Sequence, residues 1–492
     1  MGAINVVIIV AVLFVPLAES KDVRWKWQAG SKDVNKPSAD LILGPRTGGM
    51  VFKDSNTYNS FYLFGGAVFD PKLNSQHLAN DLWKIEGGIP SGEVLHPGTA
   101  GQGTNRDPND LSPAPRMLGA SCGIVGAMFM VFGGYGNNEV LGDTWIYDFG
   151  RKEWSKYEKL LSDAKVNNTN LLSPPARADM AVWCTRDKLI IFGGVGETGQ
   201  TLGDMWQFDL RTLTWKEMEE SLLLRNQIYS NHLTLWPEPR NGATTWVKGT
   251  ALYLFGGNRG SSYDRKNHHN IGFSSDLYMY NTTERIWSYI NGRRATGLVG
   301  KYAFRGQHAR GNQPGCRRGG LGVVDTIGNL WLFGGEGADT HADSVSSEKP
   351  PKILADLWHF HVLKNEWAYK DGFASGNSAG IYNGDKNTYY TGSQLGSRYD
   401  SMSVVAGNTI LVYGGVGLDA SGKKGLLDDF WEIDMHNYVA YFSATYPATI
   451  FNMIFWPFSL VAIICISFMY SGKFFDKSVK KRDISYKPLL QE

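Results

Sequence analysis

Six arginines recur along the chain at a spacing that could do chemistry: Arg46, Arg116, Arg177, Arg240, Arg318 and Arg398. Four of them, Arg177, Arg240, Arg318 and Arg398, stand sixteen residues before a Gly-Gly pair, Arg116 seventeen before one and Arg46 nineteen. A guanidinium presents a planar fork of donors that grips carboxylate or sulfate at two points, so a ring of six would suit an anionic ligand such as an acidic sugar. The competing reading is favoured: a residue that recurs in every copy serves that copy's own hydrogen bonding. Other reactive groupings are sparse. His268 and His269 with His308 form the one histidine group worth naming, and solvated loop histidines are favoured over a metal site. No G-x-S-x-G elbow, H-E-x-x-H pair or phosphate loop occurs, so neither cofactor nor metal is expected. Glu336 and Asp339, beside the arginine series, could serve as acid and base.

The elements that must position these arginines are short strands. The chain holds 58 Gly, 16 Trp and 23 Tyr, a composition that suits many strands joined by tight turns and points to an all-β fold. Six apolar runs end in a glycine pair: Gly65 and Gly66, Gly133 and Gly134, Gly193 and Gly194, Gly256 and Gly257, Gly334 and Gly335, Gly414 and Gly415. Downstream of each pair lies an Asp with an aromatic two residues on: Asp81 and Trp83, Asp143 and Trp145, Asp204 and Trp206, Asp276 and Tyr278, Asp356 and Trp358, Asp429 and Trp431. In four copies a further Trp falls eleven residues after the Asp, at Trp154, Trp215, Trp287 and Trp367, whereas Gly92 and Ala440 hold that place in the first and last copies.

The glycine pair, the Asp with its aromatic and the spaced Trp together resemble the kelch repeat, over roughly Trp25 to Tyr441. The resemblance implies a six-bladed kelch-type β-propeller in which each repeat folds as a four-stranded blade. Trp25 and Trp27 precede all copies, so the N-terminal segment is expected to supply the fourth strand of the last blade and close the ring, removing open edges. The first copy's own fourth strand is expected around Val94. In such a blade the link between strands two and three and the link to the next blade emerge at one face. Those connections are the long ones here, with insertions Asn258 to Ser275 and Glu336 to Ala355 and links Glu86 to Pro115, Asn291 to Gly315 and Asp371 to Ser397. Recognition is therefore expected on that face. Galactose oxidase and a sialic-acid mutarotase are similar propellers, so the fold alone does not exclude catalysis.

The ends of the chain carry addresses. Residues 1–20, with the apolar run Val6 to Val15 and Ala18-Glu19-Ser20, read as a secretory signal peptide, which places residues 21–446 as the propeller ectodomain. Residues 447–471 read as a transmembrane helix: no Asp, Glu, Lys or Arg occurs from Met435 to Gly472, and 448–470 would reach about 34 Å at 1.5 Å per residue. Lys473, Lys477, Lys480, Lys481 and Arg482 follow at once, which puts the short basic tail, 472–492, in the cytosol as for a type I membrane protein at the plasma membrane or an endomembrane. Within the tail, Tyr486 and Leu489 match a Tyr-x-x-hydrophobe signal for a cytosolic sorting adaptor. Asn167 and Asn281 begin glycosylation triplets. Among the cysteines outside the span, Cys122, Cys184 and Cys316, buried free thiols are favoured, with a Cys122–Cys184 bridge across neighbouring blades as the alternative.

A net charge of +2 argues against general nucleic-acid binding. The expected function is recognition of a protein or glycan by the long-loop face of a membrane-anchored ectodomain. The alternatives are a sorting receptor that uses the tail and a carbohydrate-active propeller enzyme.

Overall fold

The computed structural model describes residues 23–53, 60–86, 91–98, 111–157, 172–219, 236–260, 272–340, 350–390 and 392–435. The chain divides into two units, Met1–His436 and Asn437–Glu492, and all described residues belong to the first. The expected signal peptide, span and tail signal fall outside the described residues. Among the described residues no helix is long and apolar enough to cross a membrane.

The described chain forms seven antiparallel sheets, one for each of the first five glycine pairs and, at the sixth, a four-stranded sheet beside a three-stranded one of Arg398–Tyr399, Val416–Leu418 and Lys424–Leu426. The second is typical: Ala120–Ile124, Met128–Tyr135, Val140–Asp148 and Glu153–Lys156 pair in that order. Its inner strands are apolar on both faces, as a strand covered on both sides must be. In the first sheet the fourth strand is Ser91–His96, with Val94 opposite Trp83, as expected.

The sixth sheet takes Met402–Ala406, Thr409–Tyr413 and Asp429–Asp434 from the end of the described chain and Arg24–Gly30 from its beginning. Register gives the substitution its reason. The late Trp pairs opposite the fourth residue after the Asp, as Trp154 does with Tyr147 and Trp215 with Phe208. In the sixth sheet that partner is Ile433, and the residue opposite it is Trp25. Each of these tryptophans packs on the aromatic before the preceding copy's glycine pair. The ring centroids are 5.1 Å apart for Trp154 and Phe64, 4.8 Å for Trp215 and Phe132, 5.5 Å for Trp287 and Phe192, 5.4 Å for Trp367 and Phe255, and 5.7 Å for Trp25 and Phe333. The core accordingly lies between sheets, where these rings and their aliphatic neighbours are removed from water.

The second strand stops just before the glycine pair in the fourth and sixth copies, at Phe255 and Tyr413. In four sheets the second strand runs on through the pair with a register shift, as between Phe132 and Gly134 or between Phe333 and Gly335. A Cβ on the first glycine would lie 2.3–2.7 Å from the backbone oxygen of the next copy's arginine: Arg116, Arg177, Arg240, Arg317 and Arg398 in turn, then Arg46 for Gly414. Only glycine permits that approach, and it also holds a positive φ there.

Two of the long links are not free loops. In Asn291 to Gly315, Lys301 bridges Gln313 and Ala309 bridges Trp367, and in Asp371 to Ser397, Ile381 bridges Gln394. Asn387 N donates to Trp27 O, so this second strap lies along the N-terminal strand. The straps cover the outer strands of the fifth and sixth sheets, where open edges would invite foreign pairing. Cys122 and Cys184, on the first strands of the second and third sheets, form a disulfide with Cα atoms 5.2 Å apart, so the free-thiol reading is corrected for this pair. Cys316 is free and buried.

Candidate functional site

The repeated arginines are buried, and the anion each one holds belongs to its own copy. Arg116 Nη1 donates to Asp143 Oδ1 at 2.6 Å and Nη2 to Oδ2 at 3.0 Å, Nη1 also donates to Gly133 O at 3.2 Å, and Nε donates to Ala114 O at 2.9 Å. The same fork joins Arg46 to Asp81, Arg177 to Asp204, Arg240 to Asp276 and Arg398 to Asp429. In five copies the Trp after the Asp adds a donor: Trp145 Nε1 reaches Asp143 Oδ2 at 2.6 Å and Trp431 Nε1 reaches Asp429 Oδ2 at 2.7 Å. Tyr278 has no such N–H, and in its copy Ser274 Oγ donates to Asp276 Oδ1 at 2.7 Å. The straps contribute as well, Tyr302 Oη donating to Asp356 Oδ2 at 2.6 Å and Tyr382 Oη to Asp429 Oδ2 at 2.7 Å.

This geometry removes the less favoured alternative, an anion-binding ring, and corrects one position. Arg46, Arg116, Arg177, Arg240 and Arg398 are at most 2 % exposed and are engaged by carboxylate and carbonyl, so they offer no open guanidinium to an outside anion. The fifth member of the series is Arg317 and not Arg318. Arg317 binds Asp356 at 2.7 and 2.8 Å and Gly334 O at 2.9 Å. Burial alone would raise the Asp356 carboxyl, but Arg317, Tyr302 and Trp358 together hold it below the usual carboxylate range.

Two residues beyond each arginine the backbone turns left-handed, at Gly48, Leu118, Asp179, Gly242, Gly319 and Asp400, with φ between 50° and 65°. The amides of these six residues close a circle. Gly48 N donates to Asp400 O, Asp400 N to Gly319 O, Gly319 N to Gly242 O, Gly242 N to Asp179 O, Asp179 N to Leu118 O and Leu118 N to Gly48 O, all at 2.8–3.0 Å. No sequence reading found this circle, because its bonds join residues a copy apart.

The circle lies at the end of the sheets where the chain approaches each first strand. That end is also where the second strand turns toward the third, since Arg46 pairs with Val68, Met117 with Tyr135 and Arg177 with Gly196. Arg318 stands over the circle. Its Nη2 meets Glu336 Oε2 at 2.7 Å and its Cζ lies 5.5 Å from the Tyr399 ring centroid. Asp179 Oδ2 accepts from Asn241 Nδ2 at 2.6 Å. Burial and the nearby Asp179 push the Asp400 carboxyl up to about 7, against the pull of Arg318. Burial also raises the Asp179 carboxyl and pushes Tyr135 up to about 12. The cluster is a partly buried cation among carboxyls and phenols at one mouth of the circle.

The other named residues are placed as follows. Asp339 is buried and holds Lys352 Nζ at 2.7 Å and Gly376 N at 3.0 Å, so it is tied into the fold beside the fifth sheet. His268 and His269 lie outside the described residues. His308 instead meets His359, Nε2 to Nδ1 at 2.8 Å, and burial drives both imidazoles well below their usual value. Among the described residues no group of His, Cys, Asp and Glu is arranged to hold a metal ion. Asn281 ends a strand, its Oδ1 accepting from Thr283 N at 2.9 Å. Asn167, Tyr486 and Leu489 lie outside the described residues.

Fold and site define a β-propeller of kelch type. Residues 34–219 and 161–297 match the KLHDC2/KLHL20/DRC7 Kelch-repeats domain, and the chain belongs to the kelch-repeat family. It is similar to the F-box/kelch-repeat protein At1g51550 of Arabidopsis thaliana, 32% identical over 153 residues, which cover 30% of this chain and 28% of that one. It is also similar to Host cell factor 2 of Homo sapiens, 28% identical over 159 residues, 30% of this chain and 18% of that one. The chain thus spans less than a third of the length of these relatives. The solved structure of YjhT is 15% identical with a TM-score of 0.48, covering 80% of this chain and 95% of that one.

Proposed function

We propose that the chain is a membrane-anchored recognition protein whose sheets form the six blades of one closed propeller and which binds a protein or glycan at the mouth carrying Arg318. One observation carries this reading: at that mouth a cation with 25% of its side chain exposed sits with Glu336, while all six repeat arginines are sealed inside. A mouth with a few convergent polar groups on a rigid scaffold is where such folds present a ligand site. Glu336 and Asp339 are both engaged by cations, which favours binding over sugar mutarotation.

The Cys122–Cys184 disulfide supports a lumenal or extracellular setting, because such bonds persist in oxidising compartments. That setting agrees with the proposed signal at 1–20, span at 447–471 and glycosylation at Asn167 and Asn281. Met435 N donates to Asn408 O at 2.9 Å, so the last described residue lies at the short-turn end, opposite the Arg318 mouth. A sorting role through Tyr486 and Leu489 is a compatible extension.

The test is a screen of the protein against arrays of glycans and cell-surface proteins, repeated with Arg318→Ala. Retention that drops about tenfold or more in the variant, as expected when a charge-assisted contact is lost, supports the reading. Retention unchanged by the substitution removes the mouth as the site.

A further inference from the structure

At the opposite end of the circle, where first strands turn into second strands, a cavity of about 910 Å³ opens between the first four sheets. Its walls include Val51 and Phe52 of the first sheet, Ile124 of the second and Val247 of the fourth. Besides Arg211, two cations line it, Lys53 and Arg186. Neither has a hydrogen-bond or ion-pair partner among the described residues. Arg211, also at the cavity, is occupied by Asp187 at 3.5 Å. No Asp or Glu lines the cavity among the described residues.

Lys53 is half-buried, and burial lowers its ammonium, with no carboxylate among the described residues to offset the effect. A half-buried charge without a counter-ion is costly and invites one from outside. The apolar walls in turn favour a ligand whose remaining surface is hydrocarbon, and the volume is that of a small-molecule site. A divalent phosphate would leave those walls wet, and a cation would meet Lys53 and Arg186 head on.

We propose that this cavity is a second site, binding a small amphipathic monoanion, an aryl or short-chain carboxylate, with its charge between Lys53 and Arg186 and its apolar body against Phe52, Ile124 and Val247. The site is distinct from the Arg318 mouth and stands whether or not that mouth binds a ligand.

The probe is para-trifluoromethylbenzoate, followed by fluorine NMR with the full chain in nanodiscs of neutral phosphatidylcholine and with empty nanodiscs as the blank. Saturable binding is expected, with Lys53→Gln and Arg186→Gln each weakening it about tenfold or more. Lys216→Gln, at the neighbouring cavity, should leave binding unchanged. The neutral analogue para-trifluoromethylbenzyl alcohol should bind at least about tenfold more weakly than the acid. Arg186 is exposed, so Arg186→Gln keeps the test decisive if Lys53→Gln lowers the melting temperature. Absence of saturable binding, equal binding of acid and alcohol, or equal weakening by Lys216→Gln would each overturn the proposal.

Discussion

Arg317 and Arg318 are adjacent, carry the same charge and do opposite work. Arg317 is sealed against Asp356, whereas Arg318 reaches out to Glu336 at the rim. Removing one partner of a fully buried pair leaves the other charge without compensation, which costs about 3–5 kcal/mol, while a pair with access to solvent loses less. Arg317→Ala is therefore expected to lower unfolding stability severely and Arg318→Ala clearly less, as read by denaturant titration. Equal losses would contradict the assignment. Counting back sixteen residues from Gly334 selects the wrong arginine, because the separation here is seventeen, as in the second copy. The signal that finds the right one is Arg-x-Gly-Gly, present at Arg46 to Gly49 and again at Arg317 to Gly320. It marks the left-handed position two residues after the arginine, which glycine fills without strain.

At the scale of elements, the circle of six amides is the feature that sequence leaves hidden. Gly48, Gly242 and Gly319 announce a positive φ, but Leu118, Asp179 and Asp400 do not, and hydrogen bonds between copies have no local signature. The circle brings Asp179 and Asp400 together, and their carboxyls rise. A carboxyl raised to about 7 when folded holds its proton over a range where the unfolded chain has released it. The stability it contributes is thus fully present below the free carboxyl value and lost as pH rises through about 7. Wild type should gain more in melting temperature than Asp400→Asn between about pH 8 and about pH 5, by calorimetry. Equal gains would show that Asp400 titrates normally. Asn tolerates the left-handed backbone, so the substitution tests charge and not strain. The straps teach a related lesson. Read as length they look like binding loops, yet both carry Gly-x-Tyr followed by Gln-x-Gly-x-Arg, at Gly300 to Arg317 and at Gly380 to Arg398, and both place a tyrosine on a buried Asp.

For the whole molecule, six glycine pairs with their Asp and Trp made the repeat legible, because each feature answers a packing need that returns in every copy. The displaced N-terminal strand was legible from a missing Trp. Its register, with Trp25 opposite Ile433, puts the first strand where the late Trp of the other copies stands. What the sequence could not reveal is which charged groups face outward, since that depends on which of two neighbouring residues turns toward the core.

The proposed mouth belongs to a closed array, in which Arg24–Gly30 completes the sixth sheet. Deleting residues 21–30 strips the outer strand from the sixth sheet and removes Trp25 from Phe333 and Ala29 from the cluster shared with the first sheet. Scanning calorimetry of the deleted and intact proteins is the most direct measurement. Loss of the cooperative unfolding transition in the deleted protein is the predicted result. A transition at the same temperature with the same enthalpy would contradict the closed array and, with it, the Arg318 mouth.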